Sequence, residues 1–215
     1  MKKYYLIFLL IVLLLVGDFL LAGSAVSLAG RHNLFLRAGY VWPAEDQLEG
    51  GPLFALGGTL MVSPNFGVEV EGRVLLLSSL YNRQLGLEVL GSGDLAPMGI
   101  SGSLCYNIYV TGRLGLYFLA GLGYFFNHFS AENTYSDLGF EIEETVDSAI
   151  SYHIGTGINL LIAKNLALNL EARYSLSNAG GEWRIEDRVG SAVVRGTTET
   201  DLNRLSIMMG VRLYL

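Results

Sequence analysis

Histidine, cysteine and serine side chains are the first candidates for chemistry, because they supply general bases, nucleophiles and metal ligands. The chain contains three histidines, His32, His128 and His153, and one cysteine, Cys105. The four positions are scattered and do not follow the spacing of a metal site. We therefore expect no metal site and no cofactor, and the single cysteine excludes an internal disulfide.

One pair of residues has a spacing that would suit nucleophilic catalysis. His128 and Ser130 share a face of an extended chain, with Glu132 two residues further on. A strand end that enters a polar loop has the same composition, and we favour that interpretation. His153 is interpreted as a hydrogen-bonded interior residue. We assign no catalytic residue and expect that the protein is not an enzyme.

Charged residues are more informative, because they keep to one side of alternating segments. In residues 166–174, leucines at 166, 168 and 170 alternate with Asn169, Glu171 and Arg173. This period of two indicates β-strands with one apolar face. It predicts strands near residues 33–42, 53–62, 66–77, 98–109, 114–127, 149–162, 166–176 and 202–215.

Alternate residues of a strand form two sets, one on each face, and we call each set a parity. The polar parity of these strands carries all of the strand charges, which predicts a charge network inside a closed barrel. Its members are Arg37, Glu69, Glu71, Arg73, Glu171, Arg173, Arg204 and Arg212. Charges inside so narrow a barrel must pair or be hydrated. One interpretation is a salt-bridge lattice that fills the lumen, and the other is a gate or a narrow polar path.

Composition and connection lengths decide which face meets the membrane. The chain is 51% hydrophobic and only 16% charged, with a mean hydropathy of +0.41. Its net charge of -6 argues against a nucleic-acid partner. A soluble lipocalin-type barrel would also alternate. However, the tight turns at 63–65, 110–113 and 163–165 alternate with long loops at 43–52, 78–97, 128–148 and 177–201, as in an outer-membrane barrel.

Aromatic residues on the apolar parity gather beside the long loops. Such a girdle marks the membrane interface. Its predicted members are Tyr40, Trp42, Phe54, Tyr124, Phe126, Tyr152 and Tyr174.

The first residues are typical of an export signal. Lys2 and Lys3 precede an apolar run from Tyr4 to Val16. Cleavage is expected after Ala29, with Ala25 as the alternative site, and a transmembrane anchor is the competing interpretation. We predict two parts: a signal peptide at 1–29 and one domain at 30–215.

The sequence resembles the small eight-stranded outer-membrane barrels of the OmpW-like and OmpA-like porin superfamily. The resemblance rests on LFLRAGYVWP (34–43), SPNFGVEVEGR (63–73), LYFLAGLGYFF (116–126) and NLALNLEARYS (165–175). It implies an all-β, eight-stranded antiparallel transmembrane barrel of up-and-down topology. It also implies passage of small hydrophobic compounds, and the last strand resembles the signal read by the barrel-assembly machinery.

Residues 173–179 are similar to the His-x-Ser-Asn-Ala signature of lipid A deacylase barrels. Ser175 replaces the histidine of that signature, so the base that would activate the serine is missing. A lipid-modifying enzyme is therefore only the third hypothesis for function.

The residues that face the lumen near the long loops are apolar. They predict a vestibule for a hydrophobic molecule, and the alternative is ordinary core packing. The vestibule residues are Val41, Leu53, Leu75, Leu77 and Phe125. The loops themselves are acidic, densest at 141–147, which is typical of a solvated face; a divalent-cation site is the alternative.

We interpret the chain as an outer-membrane barrel for passive binding or passage of small hydrophobic solutes. The alternative is a structural or surface-interaction barrel with a closed lumen. The expected partners are outer-membrane lipids, lipopolysaccharide, the barrel-assembly machinery and a small hydrophobic solute, with a monomer as the favoured state.

Overall fold

The computed structural model describes residues 28–44, 48–80, 93–131, 140–187 and 193–215. The predicted signal peptide therefore lies outside the described residues, except for Leu28 and Ala29. None of the described segments forms a helix long and apolar enough to cross a membrane. In chain order, the strands are β1 (Asn33–Pro43), β2 (Leu48–Glu49), β3 (Gly51–Met61), β4 (Phe66–Leu75), β5 (Leu77–Leu80), β6 (Gly93–Tyr109), β7 (Leu114–Ala131), β8 (Phe140–Val146), β9 (Ala149–Ala163), β10 (Leu166–Asp187), β11 (Val193–Asp201) and β12 (Arg204–Tyr214).

Eight of these strands form a closed antiparallel wall. The wall runs in the order β1, β3, β4, β6, β7, β9, β10 and β12, and β12 pairs with β1 to close the ring. Closure pairs the backbone groups along every strand and leaves no free sheet edge within the wall. The prediction of an eight-stranded antiparallel barrel is confirmed.

Exposure alternates along the wall strands because successive side chains point to opposite faces. On β9, Ile154 is 64% exposed, whereas the neighbouring His153 is 5% exposed. The exposed parity is mostly apolar, and the buried parity carries eight charged residues. This barrel has its apolar surface outside, which is the reverse of a lipocalin.

Tight turns join the strands at one end of the barrel, which we call the turn end. The β3–β4 turn is held by bonds from the backbone N–H groups of Val62 and Ser63 to the carbonyl oxygen of Phe66. The Ser63 hydroxyl in return accepts a bond from the backbone N–H of Phe66. The opposite end is called the loop end.

The loop end contains more strand than the sequence predicts. β10 continues to Asp187, and its upper part pairs with β11 on one side and β8 on the other. Predicted loops 128–148 and 177–201 are therefore partly β-sheet, and we call this three-stranded part the extension. Segments 43–52 and 78–97 likewise contain β2, β5 and the beginning of β6.

A short N-terminal segment seals the turn end. Leu28 is 1% exposed and packs with Leu161, Ala167 and Tyr214. Gly30 follows with a φ of +71°, a value that glycine adopts without strain. The Arg31 guanidinium then donates to the carbonyl oxygens of Lys164 (3.0 Å) and Tyr214 (3.2 Å).

Candidate functional site

Seven charged side chains fill the middle of the lumen, and we call them the charge lattice. Each is at most 4% exposed, although all of them carry a formal charge. Buried charges persist only when they are paired and hydrogen-bonded. The members are Arg37, Glu69, Glu71, Arg73, Glu171, Arg173 and Arg212.

Glu69 binds three arginines from three different strands. Its carboxylate lies 2.9 Å from Arg37 Nη2, 3.2 Å from Arg212 Nη2 and 3.4 Å from Arg173 Nη2. The Thr59 hydroxyl donates a further bond at 3.3 Å. A single carboxylate on β4 thus joins β1, β10 and β12 across the lumen.

Glu71 and Glu171 extend the same lattice. Glu71 contacts Arg73 Nε at 2.5 Å and also binds Arg173. Glu171 lies 2.7 Å from Arg37 Nη1 and 2.7 Å from Arg173 Nη2. Because every glutamate lies within salt-bridge distance of more than one guanidinium, the loss of a single carboxylate leaves several arginines underpaired.

Aromatic and amide side chains support the lattice from the turn end. The Tyr117 hydroxyl donates to Glu171 Oε2 at 2.7 Å and accepts a bond from Asn169 Nδ2 at 3.0 Å. Gly157 makes room for Tyr117, since a Cβ there would overlap its phenol group. The Phe35 ring lies 3.7 Å from Arg37 Cζ, within cation–π distance.

Arg204, predicted as a member of the charge network, does not join the lattice. It pairs in register with Ser175, above the three glutamates. Within the described part of the chain, no carboxylate lies within salt-bridge distance of Arg204. Its guanidinium instead contacts the Phe125 ring, with 4.7 Å between Cζ and the ring centroid, and Nη1 donates to the Leu202 carbonyl at 3.0 Å.

An apolar layer occupies the loop end of the lumen. The five vestibule residues, Val41, Leu53, Leu75, Leu77 and Phe125, are all buried there, at 0–4% exposure. They belong to one cluster with residues that the sequence analysis did not name. These additional members include Leu48, Leu95, Val146, Leu202 and Met208.

Three of these missed residues could have been found from strand parity. Leu95 has the same parity as the inward-facing Ser101 and Ser103 of β6, and Leu202 and Met208 have the parity of Arg204. Leu48 and Val146 lie on β2 and β8, two short strands within predicted loops. No alternation in the sequence marks those two strands.

The predicted girdle residues all point outward. Tyr40, Trp42, Phe54, Tyr124, Phe126, Tyr152 and Tyr174 are 40–59% exposed. Two adjacent pairs are in ring contact: Tyr40 with Trp42 at 4.8 Å and Tyr124 with Phe126 at 5.0 Å.

The histidines His128 and His153 lie on opposite faces of the wall. His128 is exposed on the outer face of β7, and Glu132 lies outside the described residues. His153 faces the lumen, where its Nε2 lies 2.7 Å from the Ser103 hydroxyl oxygen. Among the described residues, no group of three histidine, cysteine, aspartate or glutamate side chains is arranged to hold a metal ion.

A hollow of about 560 Å³ lies on the outer wall, where Gly72 leaves a gap between larger side chains. Leu36, Phe54, Leu56 and Ile100 border it. These residues belong to the exposed, apolar parity. The hollow is therefore part of the outer surface and not of the lumen.

Comparison with known proteins gives consistent results. The sequence family described as "Outer membrane protein beta-barrel domain" matches residues 11–213. The fold is similar to that of the outer membrane protein OprG from Pseudomonas aeruginosa, with a TM-score of 0.69 and 13% identity over 90% of this chain and 99% of that chain. It is also similar to a major outer membrane protein from Thermus thermophilus, with a TM-score of 0.60 and 14% identity over 86% of this chain and 99% of that chain. Neisserial surface protein A has a TM-score of 0.54 and 13% identity, over 87% and 98% of the two chains. A search of the curated proteins found no match.

Proposed function

Since this chain belongs to the outer membrane protein beta-barrel domain family and lies in an outer membrane, we propose that it binds small hydrophobic solutes at the loop end of its lumen and lets them pass. In barrels of this kind the short turns face the periplasm and the longer connections face the exterior. The apolar layer is then the first part of the lumen that an external solute meets.

The observation that carries this proposal is the contrast between the apolar layer and its charged floor. An apolar solute gains about 25 cal/mol for each Å² that it removes from water. Leu53, Leu75 and Phe125 offer such a surface, whereas the charge lattice beneath them does not. A small ion meets the opposite situation, because it must lose its hydration in the apolar layer.

Uptake of an apolar probe tests the proposal. Cells that display equal amounts of wild type, Leu77→Asp and Leu77→Met are compared for uptake of radiolabelled naphthalene. A charge at Leu77, which is 4% exposed in the layer, should abolish the uptake that depends on the protein. Leu77→Met keeps the layer apolar and should retain that uptake. Equal uptake by all three forms would contradict the proposal.

A second candidate is a surface-interaction barrel with a closed lumen. It is supported by the filled charge lattice and by the extension, which offers sheet beyond the ring for contacts with partners. Under this hypothesis, cells with and without the protein take up naphthalene equally. Planar bilayers containing the protein then show no change in conductance when an apolar solute is added.

The proposal also covers catalysis and partners. We propose that the protein is not an enzyme, since His128 and His153 lie on opposite faces of the wall. Outer-membrane lipids would cover the exposed apolar parity, with lipopolysaccharide above the girdle. The barrel-assembly machinery would read β12, whose outward residues Ile207, Met209, Val211 and Leu213 alternate. A monomer is the proposed state.

A further inference from the structure

The described lumen contains an excess of buried positive charge. Five arginines are buried there, Arg37, Arg73, Arg173, Arg204 and Arg212, and they face only three buried glutamates, Glu69, Glu71 and Glu171. Guanidinium groups stay charged in proteins, so neutralisation by deprotonation is not open to them. A buried surplus of this kind favours an anion.

Among the five buried arginines, Arg204 is the one that lies near none of the three buried glutamates. The other four each lie within 4 Å of at least one glutamate. Arg204 is 3% exposed, and its polar contacts are limited, among the described residues, to the Leu202 carbonyl and the face of Phe125. Its Nη2 has no hydrogen-bond partner there.

Hydroxyl and imidazole side chains follow Arg204 in register on β10 and β9. Ser175 pairs with Arg204 on one side and with His153 on the other, and Ser177 pairs with Ser151 in the next row. The Phe125 ring that Arg204 contacts belongs to β7, and β10 and β9 lie between β12 and β7 in the wall. The hydroxyl of Ser151, which faces the lumen from β9 at 1% exposure, also has no hydrogen-bond partner in the described structure.

Apolar side chains belong to the same part of the lumen as Phe125, the ring that Arg204 contacts. Val41, Leu53 and Leu75 face the lumen from β1, β3 and β4, and each is at most 1% exposed. This part of the lumen thus offers a cation and hydroxyl groups together with aliphatic side chains. A ligand that matches both has an anionic group at one end and a hydrocarbon part at the other.

We propose that Arg204 and Ser151 form a site for the carboxylate of a small apolar acid, whose hydrocarbon part packs against Leu53 and Leu75. This inference rests on the proposed function and names the class of solute. A carboxylate suits the site because it accepts two parallel bonds from a guanidinium. The hydroxyl of Ser151 supplies one further donor.

Hexanoate and hexan-1-ol test the site, since they have the same chain length and differ in charge. The full chain is placed in lipid nanodiscs, and binding is measured for wild type, Arg204→Met and Arg204→Lys, with empty nanodiscs as the blank. We expect wild type to bind hexanoate at least tenfold more tightly than hexan-1-ol. Arg204→Met should remove this difference, and Arg204→Lys should keep part of it. As a control for net charge, Arg113→Met changes a residue at the turn end and should behave like wild type.

The other outcomes overturn the proposal. If inorganic phosphate or chloride displaces hexanoate at equal concentration, the site takes a simple anion and the hydrocarbon part does not contribute. If Arg204→Met binds hexanoate as wild type does, Arg204 is not the anchor. Failure of the proposed function is distinguishable, because Leu77→Asp would then leave naphthalene uptake unchanged, whatever hexanoate does.

Discussion

The two halves of the lumen are built by different rules. The lower half, toward the turn end, is held by charges: each glutamate of the charge lattice binds arginines from more than one strand, so its members depend on one another. The upper half, toward the loop end, is apolar, and its side chains contact one another without directional bonds. The first half should therefore fail when one member is removed, whereas the second should tolerate substitutions that keep it apolar.

Removing one carboxylate should have the largest effect. Glu69→Gln takes the negative charge from Arg37, Arg173 and Arg212 while keeping the size of the side chain. Breaking a buried ion pair by neutralising one partner costs about 3–5 kcal/mol. Urea unfolding of the barrel in lipid vesicles, followed by tryptophan fluorescence, should show this loss.

Glu199→Gln is the matched control, because Glu199 is exposed on β11 in the extension. It should leave the unfolding midpoint almost unchanged. A second variant, Glu69→Gln combined with Arg212→Met, removes one charge of each sign and should recover part of the stability. Equal midpoints for Glu69→Gln and Glu199→Gln would show that the lattice does not hold the lower half together.

The lower half could be predicted from the sequence because membrane and lumen lie on opposite faces of each strand. Leu170 and Glu171 are neighbours in the chain, yet one meets hydrocarbon and the other lies in the lattice. That demand imposes a strict period of two. The same rule gave the bounds of the wall strands to within five residues, except for β10, which continues to Asp187 beyond its predicted end at 176.

Beyond the membrane a strand no longer needs an apolar outer face. The period of two is lost there, and the sequence no longer predicts the strands. Both faces of the extension can meet water, so a stretch such as 180–187 reads as a polar loop although it is strand in the structure. Leu48 and Val146 reach the apolar layer from such segments. The alternation shows which residues face the lumen but not which of them contact each other. For that reason Arg204 was predicted to belong to the charge network with the glutamates.

A charge on the outer wall should have the next largest effect. Ile154 is 64% exposed on the apolar parity of β9. Ile154→Arg should therefore place a guanidinium in the membrane and cost about 2–4 kcal/mol. Thr197→Arg places the same side chain on β11, opposite Glu182, and should be tolerated.

This pair of variants sharpens the comparison by locating the membrane boundary. The readout is the yield of folded, heat-modifiable barrel on cold gel electrophoresis, followed by urea unfolding. If Thr197→Arg is as damaging as Ile154→Arg, the extension lies in the membrane and the apolar layer is deeper than we infer.

The seal of the turn end predicts which of the two candidate cleavage sites of the predicted signal peptide is used. Cleavage after Ala29 would remove Leu28, whose side chain packs against Leu161 and Tyr214, whereas cleavage after Ala25 would retain it. Burying a leucine side chain stabilises a protein by about 1.5–3 kcal/mol. We therefore expect N-terminal sequencing of the exported protein to begin at Val26. We also expect a chain that starts at Gly30 to unfold at lower urea concentration. A native chain beginning at Gly30 would show that the lower half needs no seal.

The smallest effect on stability is expected from Arg204→Met, and this variant separates the two halves most directly. Arg204 is as buried as the lattice arginines but has no carboxylate partner among the described residues, so only the Leu202 carbonyl and the Phe125 ring offset the desolvation of its charge. A buried charge without a charged partner is costly, so an apolar side chain of similar length should be tolerated in its place, and methionine adapts well to irregular apolar surroundings. The unfolding free energy should stay within about 1 kcal/mol of wild type or rise, because the lost hydrogen bond to the Leu202 carbonyl is worth about that amount.

Arg212→Met, made in the lattice, should instead be clearly destabilising, since it removes a partner of Glu69. Equal losses of unfolding free energy for the two substitutions would mean that Arg204 is paired with a negative charge in the membrane-embedded protein. The upper half would then also be stabilised by charge pairs.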